Sequence, residues 1–462
     1  MNRNRSPHSK RSAAAGVVAG ALAGIVTVVL AGTALARLAV QPSAQPLLEA
    51  THLPPLLTTR DEEIALRYDV YCASSEAEAD TPCAADGTVF ARAGDTGTFQ
   101  AIAVREERGA AGGRFVAPLP ESIARAPTGF SYYAVFRSDE TDMVTTLPAG
   151  GAAAPQRSLP LGKSIGVVLG GHNFGNEREA NKRAAEAAWG TGTAEAGLEQ
   201  GKNLTPIGGS SFDVEEDGSV VVLDEANKRL LRWREDGEAP SAVPLAINGT
   251  LADLSIGKDG TVYVLETTGS RGAETLLRTF GRDGAAQSTT AVPERPSQVR
   301  VGPDGPVVLQ SSSAQWLPAA KEGRPVGVSA QITEAESGRP LADGRKIVIL
   351  RSPNEVRVAL VGSTGVQRAW LVKSETPLAE VQLAEPHGTG VVLVTRVFTD
   401  HRDEFVVLVL DRRGVVERFS LDSADWAETA PLSRFRLRGS SLYQLGSTPA
   451  GLFVDRFDLG VK

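Results

Sequence analysis

Apolar and polar positions recur along this chain with a long period. FDVEEDGSVVVLDEANKRLLRWREDG (Phe212 to Gly237) returns as LSIGKDGTVYVLETT...LLRTFGRDG (Leu254 to Gly284). In both copies a strand-length run enters an Asp-Gly pair, a second apolar run leaves it, and a third ends at another Asp-Gly. First turns at Gly218, Gly260, Gly305 and Gly344 give steps of 42, 45 and 39 residues by subtraction, with second turns at Gly237 and Gly284. Asp-Gly between strand-like runs marks a tight hairpin, and two hairpins per unit make a four-stranded blade. A row of such blades predicts an all-β chain with a β-propeller over 163–462. Six blades are expected, seven being the alternative.

Upstream, short alternating runs such as LRYDVYC and YYAVF, separated by Gly-rich or charged turns, predict a small β-sandwich over 59–147. Residues 37–58 and 148–162 have no periodic pattern and read as linkers. Within the propeller region Asn176 to Gly190 has the composition of a helix riding on the surface, and Ser164 to Gly170 is expected to pair with the last strands and close the ring.

The N-terminus changes the picture. Residues 1–12 carry Arg3, Arg5, Lys10 and Arg11 and no acid, and 13–36 then run 24 residues without a charge. That length spans a bilayer as a helix, and the basic flank orients it with the N-terminus in the cytoplasm and the rest outside. Ala34-Leu35-Ala36 also fits a signal-peptidase site, so secretion after cleavage at Ala36 stands as the alternative. The whole chain has net charge −7, and removing the +4 tail leaves the remainder near −11. Such acidity argues against a nucleic-acid partner. The two cysteines, Cys72 and Cys83, form an even pair in an oxidising compartment and are expected to be a disulfide. A metal or redox pair is the alternative, without a CxxC spacing to support it.

FDVEEDGSVVVLDEANKRLLRW resembles an NHL-type propeller repeat through Gly218, Asp224, Asn227, Lys228 and Arg229. With WGTGTAEAGLEQGKNLTPIGGSSFDV ahead of it, the ectodomain is similar to membrane-anchored surface proteins of actinobacteria. The resemblance implies an extracellular propeller that binds a ligand or protein, since most NHL arrays bind and a minority catalyse.

Several motifs carry competing chemistry. Asp213, Glu215, Asp217 and Asp224, with Gly218 at the sixth position, imitate a calcium loop; a plain hairpin whose Asp213 and Glu215 face solvent explains the same letters. Gly170, Gly171 and Gly175 follow a strand but match no phosphate-loop spacing. His172 and Asn173 in that turn are candidates to line a ligand cleft. Propeller hydrolases and lyases converge His, Glu and Asn on a divalent metal. Of five histidines, only His172, His387 and His401 lie in the propeller region, leaving Glu385, His387, Asp400 and His401 as the one cluster for such a role. There is no GxSxG elbow and no HExxH pair. Trp189, Trp233, Trp316, Trp370 and Trp426 are spaced like anchors between blades.

The expected function is therefore non-catalytic recognition of a protein or glycan at the cell surface, with no cofactor. A metal-dependent hydrolase or lyase and a structural spacer are the competing classes.

Overall fold

The computed structural model describes residues 47–73, 85–107, 113–139, 142–201, 205–236, 239–268, 274–293, 296–427 and 433–460. The expected membrane helix over 13–36, Cys83 and Gly237 lie outside them. Among the described residues no helix is long and apolar enough to cross a membrane.

Two sheets make the N-terminal module. Leu47–His52, Ala65–Ala73, Arg114–Pro118 and Arg105–Glu106 form one. Leu57–Thr58, Gln156–Pro160, Phe130–Ser138, Ala85–Ala93 and Gln100–Ala103 form the other. Period-two alternation drives the pairing: Leu66, Tyr68, Val70 and Cys72 are buried while Arg67 between them is exposed. Their buried face meets Phe130, Tyr132 and Phe136 of the second sheet in one core. His52 is held inside it. Its Nδ1–H donates to the Arg67 carbonyl at 2.6 Å, its Nε2 accepts the Tyr132 hydroxyl at 2.7 Å, and its ring stacks on Tyr68.

Neither expected linker is a linker throughout. Leu47–His52 is an outer strand, and Gln156–Pro160 pairs antiparallel with Phe130–Ser138 and parallel with Leu57–Thr58. Backbone pairing and burial of Gln156, Ser158 and Leu159 supply the order that a Pro/Gly/Ala composition does not advertise. Leu56, Leu57, Leu159 and Leu161 then pack on Val348, Ala359, Val361 and Ala369, so the module shares a core with the propeller. Arg357 crosses the same junction, donating to the Leu57 carbonyl at 2.7 Å and to Glu62 at 2.6 Å.

Six blade-like sheets follow among the described residues. Their inner strands, in chain order, are Ser211–Val214, Thr250–Ile256, Pro296–Val301, Lys346–Ser352, Leu378–His387 and Phe435–Arg438, and the blades are numbered 1 to 6 from them. Middle strands are apolar on both sides because each is sandwiched between neighbours. In Val220–Asp224, Val221 and Leu223 face blade 2 while Val220 and Val222 face blade 6. The expected tryptophan anchors sit at such seams: Trp370 is fully buried and donates to the Asp411 carbonyl at 2.9 Å, and Trp189 donates to the Thr448 carbonyl at 2.9 Å.

The Asp-Gly turns at Gly218, Gly260 and Gly305 join first to second strands and carry the positive φ (81°, 82° and 145°) that the pair predicts. Gly344 is out of phase. It turns Arg339–Pro340 into the inner strand of blade 4, whose first hairpin turns instead at Pro353-Asn354.

Closure also departs from expectation. Ser164 to Gly170 contributes Ile165–Val168, but this strand lies parallel on Gly365–Lys373 at the outer edge of blade 4. The closing strand is Lys182–Ala188, antiparallel to Gly451–Asp458 in blade 6 and lying within the segment expected to be helical. Ala185 and Ala187 are buried and Glu186 and Ala188 exposed, a period of two that burial enforces over the helical propensity of alanine. Between these strands Glu177 bridges to Ser420 of blade 5, so one N-terminal segment runs along the outer edges of blades 4, 5 and 6.

Candidate functional site

The inner strands of blades 1, 2, 3 and 6 bring charge to the axis. Asp253 is wholly buried; its Oδ2 takes Arg300 Nη1 at 2.6 Å, and its Oδ1 takes Arg436 Nη2 at 3.2 Å and the Ser211 and Ser433 hydroxyls at 2.7 Å each. Burial works to raise the Asp253 pKa, but Arg300 and Arg436 outweigh it and hold the carboxyl below its usual range. Arg436 also donates to the Leu254 carbonyl at 3.1 Å and lies 3.7 Å from Asp213. The axis is thus tied by paired charge.

The acidic letters of the calcium-like loop do not converge. Asp213 accepts the Ile256 amide at 2.8 Å. Glu215 pairs with Arg282 at 2.7 Å, and exposed Asp217 shares that arginine at 3.1 Å. Asp224 accepts from Arg229 (2.8 Å), Asn227 (2.9 Å) and the Gly197 amide (2.9 Å). Asp213 and Glu215 are buried between blades rather than facing solvent as the hairpin reading expects, because arginines and amides of blade 2 or 6 neutralise them. Among the described residues no group of three His, Cys, Asp or Glu is placed to hold a metal ion.

The other candidate cluster divides in two. His387 ends the inner strand of blade 5 opposite Gly390, whereas Asp400 and His401 occupy the turn beyond Phe398, near the strand's start at Leu378. A ten-residue strand is about 30 Å long, so these residues sit on opposite faces. Glu385 instead pairs with Arg339 at 2.6 Å.

His172 does find a partner. Its Nε2 lies 2.8 Å from Glu404 Oε2, with both side chains 4% exposed, and its amide donates to Thr376 Oγ1 at 2.8 Å. Glu404 Oε1 also accepts the Gly175 amide at 2.6 Å. Burial pushes the Glu404 pKa up, and the His172 and Gly175 hydrogen bonds more than reverse it. His172 therefore pins the N-terminal segment to blade 5, while Asn173 beside it is exposed.

Next to this pin opens a cleft of about 760 Å³ between blades 5 and 6. Glu177, Glu380, Asp403, Glu404, Asp422 and Asp425 supply carboxylates, and Arg396, Arg402 and Arg434 supply cations. Arg396 bonds Asp403 at 2.6 Å; Arg434 stacks over Phe405 at 5.0 Å and burial lowers its pKa. His401 is the one member of the expected histidine cluster in its wall, and Arg402, exposed, reaches its mouth. This cleft is not legible in the sequence, since its residues come from six separate stretches.

No protein-family model matches the chain, and no curated protein matches it by sequence. Solved structures do resemble it. Hydrazine synthase of Kuenenia stuttgartiensis is 12% identical over 57% of this chain and 90% of its own, with a TM-score of 0.33. Virginiamycin B lyase from Staphylococcus aureus is 11% identical over 53% and 93%, TM-score 0.31. A luciferin-regenerating enzyme is 10% identical over 55% and 92%, TM-score 0.34. These neighbours are β-propeller proteins, and the likeness concerns the fold alone.

Proposed function

We propose that this chain is a non-catalytic binding module, an NHL-type propeller presented outside the cell on a membrane helix at 13–36, with a Cys72–Cys83 disulfide in its N-terminal module. Its ligand is a protein or glycan of the cell surface. The cleft between blades 5 and 6 carries the reading. It is wide, open and lined by six carboxylates and three guanidinium groups, the inventory that hydrogen-bonds hydroxyls and amides of a large partner. Ring closure and the His172–Glu404 pin support the same reading, because a rigid frame reduces the ordering cost of binding.

The test is equilibrium binding of the full-length chain to purified wall glycan and to surface-protein extract, compared with Arg402→Glu. Charge reversal at the mouth is expected to weaken whichever interaction is specific. Retention unchanged by the substitution would count against the cleft, and turnover of an ester or lactone would favour the enzyme class.

A further inference from the structure

The outer edge of a blade offers unpaired backbone groups, and a strand of another molecule can pair with them unless something blocks it. All blades but one carry a block. In blade 1 the short outer strand Ser241–Pro244 follows Pro240 and ends on Pro244. In blade 2 Gln331, from the helix Val328–Thr333, donates to the Ala291 carbonyl of the outer strand Ala286–Val292 at 2.9 Å. The outer strand of blade 3 is only Glu336–Ser337, and its Ser337 hydroxyl accepts the Arg157 amide of the N-terminal module at 2.9 Å. Glu417 and Arg418 sit in the outer strand of blade 5, and Lys182, Arg183 and Glu186 in that of blade 6.

Blade 4 has none of these devices. Ile165–Val168 ends its sheet, and among the described residues no strand pairs with its outer side. From Ser164 to Asn176 the chain holds no Lys, Arg, Asp, Glu or Pro. Val168 is 80% exposed, and Gly166 is exposed with no atom within 4 Å of where a Cβ would stand. The Leu169 amide donates inward to the Lys373 carbonyl at 2.9 Å. Alternate residues of a parallel ladder bond to the same side, so Ile165 and Val167 also bond inward, and Gly166 and Val168 turn their N–H and C=O groups outward.

We propose that this edge pairs with a second copy of the chain, the two Ile165–Val168 strands lying antiparallel about a two-fold axis at Val167. The register is self-complementary. It sets Gly166 opposite Val168 of the second copy and Val168 opposite its Gly166, so each outward residue exchanges both its backbone bonds. Each exposed valine then lies beside a position with no side chain, and the two Val167 residues face each other as a close β-branched pair. A foreign strand would gain the ladder without that match. Charge points the same way: copies of net charge −7 repel, and this neutral stretch of edge adds nothing to the repulsion. The pairing is independent of what the cleft binds.

The experiment is sedimentation equilibrium of the full-length chain in detergent, beside Val168→Lys, a change at an exposed position that leaves the core alone. A reversible dimer is expected. The variant should weaken it at least about tenfold, because it loses the valine contact and brings like charges together across the strands. Hydrogen exchange of the unaltered chain gives a second reading: the Gly166 and Val168 amides should exchange more slowly as concentration rises, and those of the variant should not. A monomer at every concentration, or a dimer indifferent to Val168→Lys, overturns the inference. Slowing of those amides only when surface-protein extract is added would assign the edge to a foreign strand and overturn it as well.

Discussion

Arg436 and Asp253 meet on the propeller axis, Nη2 to Oδ1 at 3.2 Å, and their side chains are 7% and 0% exposed. One comes from the last blade and the other from the second, so this pair and its neighbour Arg300 tie the inner strands together across the centre. Removing the carboxylate would take the close counter-charge from buried Arg300 and leave buried Arg436 with only the more distant Asp213. Asp253→Ala is therefore expected to lose about 3–5 kcal/mol of stability, read as a lower midpoint in denaturant at unchanged slope. A loss no larger than that of a surface substitution would contradict the account of the axis.

Acid should weaken the N-terminal module through His52. Desolvation lowers its pKa from 6.5 to about 4, with the hydrogen bond to the Arg67 carbonyl opposing. The unfolded chain then binds a proton that the folded chain refuses between those values. The contribution of neutral His52 is whole above pH 6.5 and declines as pH falls to about 4, by roughly 3 kcal/mol at 1.36 kcal/mol per unit. Stability against pH for the wild type and His52→Gln checks this, the variant losing that part of the slope. Asp253, whose pKa is also depressed, contributes stability that persists above the ordinary Asp range and disappears at lower pH still.

Ring closure is tested at Gly451. A Cβ there would stand 2.1 Å from the Ala187 carbonyl oxygen, so Gly451→Ala forces Lys182–Ala188 away from blade 6. The expected cost is about 1–3 kcal/mol, with faster hydrogen exchange confined to that strand pair. Unchanged exchange there would mean that another strand closes the ring.

Much of this fold was legible. Asp-Gly at Gly218, Gly260 and Gly305 gave the hairpins because glycine takes the positive φ of these turns without strain, and the apolar middle strands gave the stacking. The closing strand was not legible, because KRAAEAA has the composition of a helix and only its burial against Leu452 and Val454 reveals a period of two. The axis was hidden for a related reason. Asp213, Asp253, Arg300 and Arg436 alternate along their strands just as solvent-facing residues do, and curvature of the sheets into a ring turns that polar face inward. Of the candidate site residues, His172 and His401 fall beside the cleft, but spacing in the chain could not show that Glu385 and His387 lie a strand's length from Asp400 and His401.

Cys72 ends a core strand and is buried, and its expected partner Cys83 lies outside the described residues. Thiol titration of the denatured, unreduced chain should find no free thiol, and reduction should lower stability by ~2–3 kcal/mol. Two titratable thiols would rule the bridge out.

We propose that the paired charges of this propeller hold without a metal and that its open cleft recognises a surface ligand. Thermal unfolding of the full-length chain with chelator, with calcium or magnesium, and with wall glycan or surface-protein fragments tests it most directly. Neither chelator nor metal should move the transition, while the cognate fragment at a hundred times its Kd should stabilise the fold by ~2.7 kcal/mol. A metal-dependent shift, with no response to any fragment, would contradict the account and favour the metal-dependent enzyme.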